Sequence, residues 1–308
     1  MRGLLVVNPK ATTTSPRVTD VIVHALSDEL HLHVETTQGA DHATELAAQA
    51  RRDGLDIVVT LGGDGVIHEA VNGLLAEGPG AHVPVLATVP GGSGNVFARA
   101  LGLPADPVEA TGQILEAMRA GRRTSVGLGR VNGTWFIANA GLGIDAQVIE
   151  AMERQRQVGH RATPIRYLLT TLSEVFRVSD RHHPRLTILR PGAQPLANVH
   201  LAIVQNTNPW TYLGSWPIEP CPQASFATGL DLFGLHRLDP ATIAIAAQRM
   251  LIHRATDTVP GRITLWHDVG SFEIRADSPT PMQIDGEAVG PVSVATFESV
   301  PDALMVVR

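Results

Sequence analysis

Lysine is almost absent. Of the 24 basic residues in this 308-residue chain, 23 are arginine, and Lys10 is the one lysine. A P-loop needs a lysine behind its glycines, a protein kinase needs one on a strand, and a Schiff-base enzyme needs one in its pocket. Only Lys10 is available for these roles, and it sits in Asn8-Pro9-Lys10 with neither a Walker nor a kinase pattern around it. A phosphate grip must therefore rest on backbone amides, arginine or metal.

Cysteine is equally scarce. Cys221 alone excludes an internal disulfide and fits a reducing cytosol. No histidine or second cysteine stands beside it in the sequence, so it reads as a bystander. Long apolar runs are missing too. None approaches the roughly 18 residues a spanning helix needs, and the first, Leu4 to Val7, is too short for a signal peptide. With 30 acidic residues the formal charge is -6, which argues against nucleic-acid binding through bulk charge. A soluble, cytoplasmic protein is expected. Thirteen histidines are present, yet His182-His183, His31/His33 and the others lack carboxylate or cysteine partners at ligand spacing. A zinc site is not expected.

What is present is an alternation. The chain is 44% hydrophobic, enough for one large or two mid-sized domains. Leu4 to Val7 reads as a strand, and Val18, Ile22, Ala25, Leu26 and Leu30 follow at helical spacing. His31 to Thr37 alternates at period two, and Ala43, Leu46, Ala47 and Ala50 form another helical stripe. Ile57 to Leu61 is a continuous apolar run, the mark of a strand buried on both faces. It enters Gly62-Gly63-Asp64-Gly65, and a helical face at Ile67, Ala70, Val71 and Leu74 follows. Strand Val83 to Val89 then enters Pro90-Gly91-Gly92-Ser93-Gly94-Asn95 and a short helix. This is the pattern of a layered α/β domain with a mainly parallel sheet.

The texture changes near Gly121 to Ser125. Asn132-Gly133 between two apolar runs signals a hairpin. Helical patterns at 145–152 and 165–178 come next, then strand-like runs at 185–190, 199–205, 230–236, 262–267, 271–276 and 292–297, with one helix at 241–252. The expected architecture is an N-terminal α/β domain over 1–123 and a C-terminal antiparallel β-sandwich domain over 124–297. The segment 298–308 is placed to return to the first domain.

Two strand–glycine–helix turns in one parallel sheet point to the same edge, where ligands bind in open α/β sheets. Successive glycines let amide N–H groups converge on a phosphate at a helix start, and Asn8-Pro9 ends the first strand at that edge. Read alone, Gly62 to Gly65 is equally a plain turn with Asp64 as helix cap, and Asp285-Gly286-Glu287 is a hairpin turn.

These motifs together carry a resemblance. Asn8-Pro9, Gly62-Gly63-Asp64-Gly65 with Glu69 and Asn72-Gly73, and Pro90 to Asn95 with Phe97-Ala98-Arg99 and Leu101-Gly102 come first. Gly141 to Ala146 and Asp285-Gly286-Glu287 follow in the same order. The chain resembles the diacylglycerol kinase catalytic-domain family, which includes bacterial lipid kinases and sphingosine kinases and is distantly related to NAD kinases. The resemblance runs from Asn8 to about Glu287.

The resemblance implies ATP bound between the two domains, with Mg2+, and transfer of the γ-phosphate to a lipid hydroxyl, diacylglycerol giving phosphatidic acid. It assigns the triphosphate cradle to Gly62, Gly63, Asp64 and Gly65, with Glu69 in the same motif. It assigns the nucleotide pocket to Gly92, Ser93, Gly94 and Asn95, closed by Asn8 and Pro9, with Thr37 as a further contact; Lys10, which the family pattern does not require, lies in the same turn within reach of a nucleotide phosphate. Asp285 takes the place of the general base, and Glu287 and Asp231 are the candidate metal carboxylates. The partner is a lipid at the membrane surface, with a peripheral location at its inner face, and a homodimer is open.

The chain departs from the family at Val66, His68, Val96 and Thr228, where it lacks the usual threonine, asparagine and two acids. The alternatives are a sphingoid-base or other lipid-alcohol kinase, an NAD-kinase-like enzyme, or a nucleotide- or lipid-binding regulator. On the lipid side stand eight arginines between Arg154 and Arg190, and an apolar face at Tyr167, Leu168, Leu172 and Phe176. They read as a headgroup-docking block and an acyl-chain wall, or as a solvated face and ordinary core.

Overall fold

The structure, a computed structural model, describes residues 1–11, 15–143, 185–213, 216–250 and 255–308. The chain divides into two compact units, one of residues 1–128 and 301–308, the other of residues 129–300. The helical patterns at 145–152 and 165–178, the apolar face at 167–176 and the arginines from Arg154 to Arg181 lie outside the described residues.

In the first unit the order of elements follows the alternation of periods. It runs β1 (Arg2–Val7), α1 (Pro16–Ser27), β2 (His31–Thr36), α2 (His42–Arg52), β3 (Ile57–Gly62), α3 (Asp64–Leu74), β4 (Val85–Pro90), α4 (Val96–Ala100) and α5 (Pro107–Arg119). All pairings are parallel, in the order β2-β1-β3-β4. The returning C-terminal residues add a last parallel partner, with Val306 opposite Leu86. β3 and β4 are buried at every residue, as an apolar run covered by helices on both faces must be. β2 shows almost none of the burial its period-two pattern predicts, because it is the edge strand.

Helices α2 and α3 lie against each other closely. Gly73 on α3 faces α2 where a Cβ would collide with the Thr44 carbonyl oxygen and stand 2.9 Å from Ala47 Cβ. Glu69, one turn earlier on α3, accepts a hydrogen bond from Ala43 N at 3.0 Å, and its own carbonyl accepts one from Thr44 Oγ1 at 3.1 Å. The N-cap of α2, Asp41, makes no side-chain capping bond, so the Glu69 carboxylate satisfies the helix start from outside.

The second unit is antiparallel. Its strands are the end of β5 (Arg123–Val131), β6 (Thr134–Phe136), β7 (Asn139–Gly143), β8 (Leu186–Leu189), β9 (Leu196–Val199), β10 (Leu201–Gln205), β11 (Thr211–Leu213), β12 (Trp216–Ile218), β13 (Leu230–Leu235), β14 (Ile263–Val269), β15 (Ser271–Ile284) and most of β16 (Glu287–Val307). The main path is β14-β13-β10-β7-β15-β16, each pairing antiparallel. Asn132 and Gly133 turn β5 into β6 with φ of 48° and 90°, the left-handed pair a tight hairpin requires. The core gathers Phe136, Phe272 and Phe297, the last two stacked at 5.0 Å. The helix expected over 241–252 runs Pro240–Gln248, started by Asp239, whose carboxylate accepts from Thr242 N at 3.1 Å. Hairpin β11–β12 was not foreseen, since its three-residue strands are too short for a periodicity to register.

The α2–α3 contact yields a stability prediction. Gly73→Ala should lower unfolding free energy by about 1–3 kcal/mol, the usual cost of forcing atoms into a filled contact. Urea denaturation of the full chain, with an unchanged m-value, is the check.

Candidate functional site

The first unit positions its site by topology. From β1 the chain steps to one side to form β2, whereas β3 and β4 are laid down on the other. The reversal falls between β1 and β3, and open α/β sheets bind ligands beyond the carboxyl ends of strands at such a point. Asn8 ends β1 there, and Gly62-Gly63 ends β3. Asn8 N donates to Leu61 O at 2.9 Å, and Asn8 Oδ1 accepts from Lys10 N at 2.9 Å, shaping the turn that carries Pro9 and the exposed Lys10. Thr37, just past β2, donates its N–H to Val7 O at 2.9 Å and so lies on the same edge.

The two glycine turns pack backbone on backbone. Gly91 N donates to Gly62 O at 2.7 Å. A Cβ on Gly91 would stand 2.9 Å from Gly62 Cα, and one on Gly92 only 2.6 Å from Gly63 Cα. No side chain fits at these positions, so glycine here is a packing requirement. Gly62 is also pressed by Val66, whose Cγ1 would lie 2.6 Å from an added Cβ. Val66, where the resembling family has threonine, is thus a buried apolar contact beneath the turn.

Asp64 does not cap its own helix. The N-cap of α3 is Gly63, which offers no side-chain acceptor. The Asp64 carboxylate crosses to the other turn, where Oδ2 accepts from Val96 N and Oδ1 from Phe97 N, both at 3.0 Å. It caps α4, whose N-cap Asn95 has φ 49° and makes no capping bond. Asn95 instead clasps its own turn: Oδ1 accepts from Gly92 N at 2.8 Å and Nδ2 donates to Gly92 O at 2.7 Å. Ser93 is exposed between them, beside Gly94. The cradle therefore offers a phosphate the start of α3, lined by backbone and free of any side chain at its cap. The Glu69 carboxylate, in the same motif, accepts from Ala43 N at the start of α2.

The second unit holds Asp285. Asp285 and Gly286 form the two-residue turn between β15 and β16, with φ of 49° and 86°. The Asp285 carboxylate folds back onto residues 137–139. Oδ1 accepts from Ala138 N at 2.9 Å and Asn139 N at 3.1 Å, and Oδ2 accepts from Ile137 N at 2.9 Å. Asp285 N donates to Asn139 O at 2.8 Å. Backbone amides thus engage Oδ1 twice and Oδ2 once. Glu287 is exposed at the start of β16.

Three buried amide side chains around this turn escaped the sequence reading. Gln283, 1% exposed, donates through Nε2 to Asn139 Oδ1 at 2.9 Å and accepts from Gly286 N at 2.8 Å. Asn206, also 1% exposed, donates through N to Ala138 O at 2.8 Å and through Nδ2 to Ile137 O at 3.1 Å. The signal for them was an amide inside an apolar strand run, which must find hydrogen bonds when buried.

Asp231 lies on β13 and is 2% exposed. Its Oδ1 accepts from His267 Nδ1 at 2.8 Å and Asp268 N at 3.0 Å. Burial pushes its carboxyl above the ordinary range, against the lowering effect of those hydrogen bonds and of His267. A small cavity is lined by Asp231, His267, Cys221, Trp266 and their neighbours. The Cys221 thiol is pushed well up by its burial and by Asp231, which makes it an inert core group. Arg190 lies over the Trp266 ring at 5.0 Å, and Arg185 donates to Ser278 Oγ at 3.3 Å, so these two arginines are held against the unit's own residues. No group of three or more His, Cys, Asp or Glu among the described residues is arranged to hold a metal ion.

Residues 2–131 match the diacylglycerol kinase catalytic domain. Residues 2–131 thus carry the domain that the sequence motifs resemble. A diacylglycerol kinase of Mycobacterium tuberculosis is 34% identical over 203 residues, 64% of this chain and 60% of that protein. A diacylglycerol kinase of Staphylococcus saprophyticus is 34% identical over 129 residues, 42% of this chain and 40% of that protein. The matches thus span less than two thirds of either relative. A crystal structure of a diacylglycerol kinase from Bacillus anthracis superposes with a TM-score of 0.74 at 21% identity, covering 100% of this chain and 96% of that one. That likeness establishes the fold: an α/β unit with a parallel sheet joined to a unit of antiparallel strands.

Two predictions follow from the geometry. Asp64→Ala removes both capping bonds of α4 and should lower stability by about 1 kcal/mol, with thermal unfolding as the readout. Asp231 behaves opposite to a surface carboxylate. Its folded-state carboxyl holds its proton above the ordinary range, so its contribution is fully present at low pH and is lost as pH rises through that raised value. Denaturant titrations across pH 3–8 should show Asp231→Asn gaining stability relative to the parent as pH rises.

Proposed function

We propose that the chain is an ATP-dependent lipid kinase that transfers the γ-phosphate of ATP to a lipid hydroxyl, with diacylglycerol as acceptor and phosphatidic acid as product. The observation that carries this reading is the pair of glycine turns pressed together at the switch point of a parallel sheet, with α3 starting directly after the first of them. Phosphoryl transfer needs little covalent help from the protein. It needs the phosphates held in place, their charge neutralised, and a carboxylate to take the hydroxyl proton.

The residues divide that work. Backbone amides at the start of α3 face the phosphates, and Asn95 and Asp64 keep the opposite turn in shape. Asn8, Pro9, Lys10, Thr37 and Ser93 border the nucleotide. Asp285 is the acceptor of the lipid hydroxyl's proton, its carboxylate held in place by the amides of Ile137, Ala138 and Asn139. Mg2+ would supply charge neutralisation, and such an ion takes only one or two protein carboxylates. Glu287, two residues after Asp285 at the start of β16, is the carboxylate we assign to it. No helix among the described residues is long and apolar enough to cross a membrane, and we propose that the protein meets its acceptor at the membrane surface. The diacylglycerol assignment is supported by what the similar proteins of Mycobacterium tuberculosis and Staphylococcus saprophyticus are called.

The test is ADP formation from Mg-ATP with diacylglycerol, sphingosine or NAD in parallel, for the parent chain and Asp285→Asn. Turnover is expected with diacylglycerol, falling by about 10²-fold or more in Asp285→Asn while ATP binding persists. Turnover with NAD and not with lipid, or tight ATP binding without turnover on any acceptor, would overturn the reading.

A further inference from the structure

We propose that Gln283 and Asn206 are positioning residues that aim the Asp285 carboxylate by holding the 137–139 segment in place. The inference rests on the reading of Asp285 as proton acceptor and goes beyond it by naming what sets its direction.

Two of the three amides that grip Asp285, those of Ile137 and Ala138, lie in the link between β6 and β7, outside any strand, and the third belongs to Asn139 at the start of β7. Such a segment has the backbone freedom to carry the carboxylate with it. Its carbonyls are fastened from two sides. Asn206, at the end of β10, takes Ile137 O with its side chain and Ala138 O with its backbone N–H. Gln283, on β15, takes Asn139 Oδ1 with Nε2.

Gln283 does a second thing. Its Oε1 accepts from Gly286 N, the residue after Asp285, so one side chain ties both the turn that carries the carboxylate and the segment that receives it. Asn139 closes the loop, since its N–H donates to Asp285 Oδ1 and its Nδ2 donates to Trp210 O at 3.2 Å. Gln283, on β15, and Asn206, just past β10, are both 1% exposed. Hydrogen bonds through Gln283 Nε2 and Oε1 and through Asn206 Nδ2 hold these two buried side chains in place. A general base must stand within hydrogen-bond reach of the group whose proton it takes, and misplacement by about 1 Å costs on the order of 10²-fold.

The decisive experiment is a double-substitution cycle in the full chain, with Gln283→Glu and Asp285→Asn singly and together. Gln283→Glu keeps the volume and the acceptor for Gly286 N and removes the donor to Asn139. If Gln283 acts through Asp285, kcat with diacylglycerol should fall about 10- to 100-fold in Gln283→Glu, with KM for ATP unchanged and the pH–rate profile displaced. Adding Gln283→Glu to Asp285→Asn should then cost nothing more. Losses that multiply, or a fall in kcat with an unmoved pH profile, would overturn the proposal, as would wild-type kinetics.

Amide hydrogen exchange at 137–139 separates this idea from the one beneath it. Faster exchange in Gln283→Glu and in Asn206→Leu is expected. Unchanged exchange in both overturns the positioning role even if Asp285→Asn is inactive. Full activity of Asp285→Asn overturns the base and, with it, the catalytic meaning of the positioning, while exchange still reports whether the segment is held.

Discussion

The contact of Gly62-Gly63 with Gly91-Gly92 is the constraint on which the first unit's site depends. Adjacent parallel strands emerge about 4.8 Å apart, and their following turns can be closed over each other only if no Cβ intervenes. The hydrogen bond from Gly91 N to Gly62 O is the closure, and an added Cβ at Gly92, 2.6 Å from Gly63 Cα, is what it forbids. Everything at this edge follows from it. The start of α3 is brought beside the second turn, α4 begins near enough for Asp64 to reach, and Asn95 must adopt a left-handed conformation to lead the chain into that helix.

Acidic residues across both units serve one physical purpose. Asp64 holds Val96 N and Phe97 N, Glu69 holds Ala43 N, Asp231 holds Asp268 N, and Asp285 holds three amides of 137–139. Turns and helix starts leave amide donors that cannot be satisfied by secondary structure. A carboxylate from another segment satisfies them with charge-assisted bonds and fixes the distance between the two segments at the same time. The motif carboxylates are thus fasteners as well as candidate chemical groups. At Asp285 the bonds that hold the side chain also fix its direction.

The elements were largely readable because their periods are strong. The continuous apolar run Ile57 to Leu61 could only be a strand buried on both faces, and Asn132-Gly133 could only be a tight hairpin. Other features were hidden for specific reasons. β2 carries an alternating pattern, yet its place at the sheet edge leaves it exposed, and edge position is a property of the strand order. Hairpin β11–β12 is too short to show a period. The amides at Asn139, Asn206 and Gln283 looked like interruptions in strands, and their meaning appears only when three strands distant in sequence are adjacent.

The sequence by itself determined the kinds of element, their order, and that no lysine other than Lys10 is available, because these depend on local periodicity and on residue count. Partnership was decided only by tertiary structure. Asp64 in a strand-to-helix turn reads as a cap for its own helix, and its bonds go instead to α4. Glu69 sits in the glycine motif and serves α2. The reason is that a side chain's bonds depend on which amide lies within about 3 Å in space, and that distance is set by the packing of segments far apart along the chain.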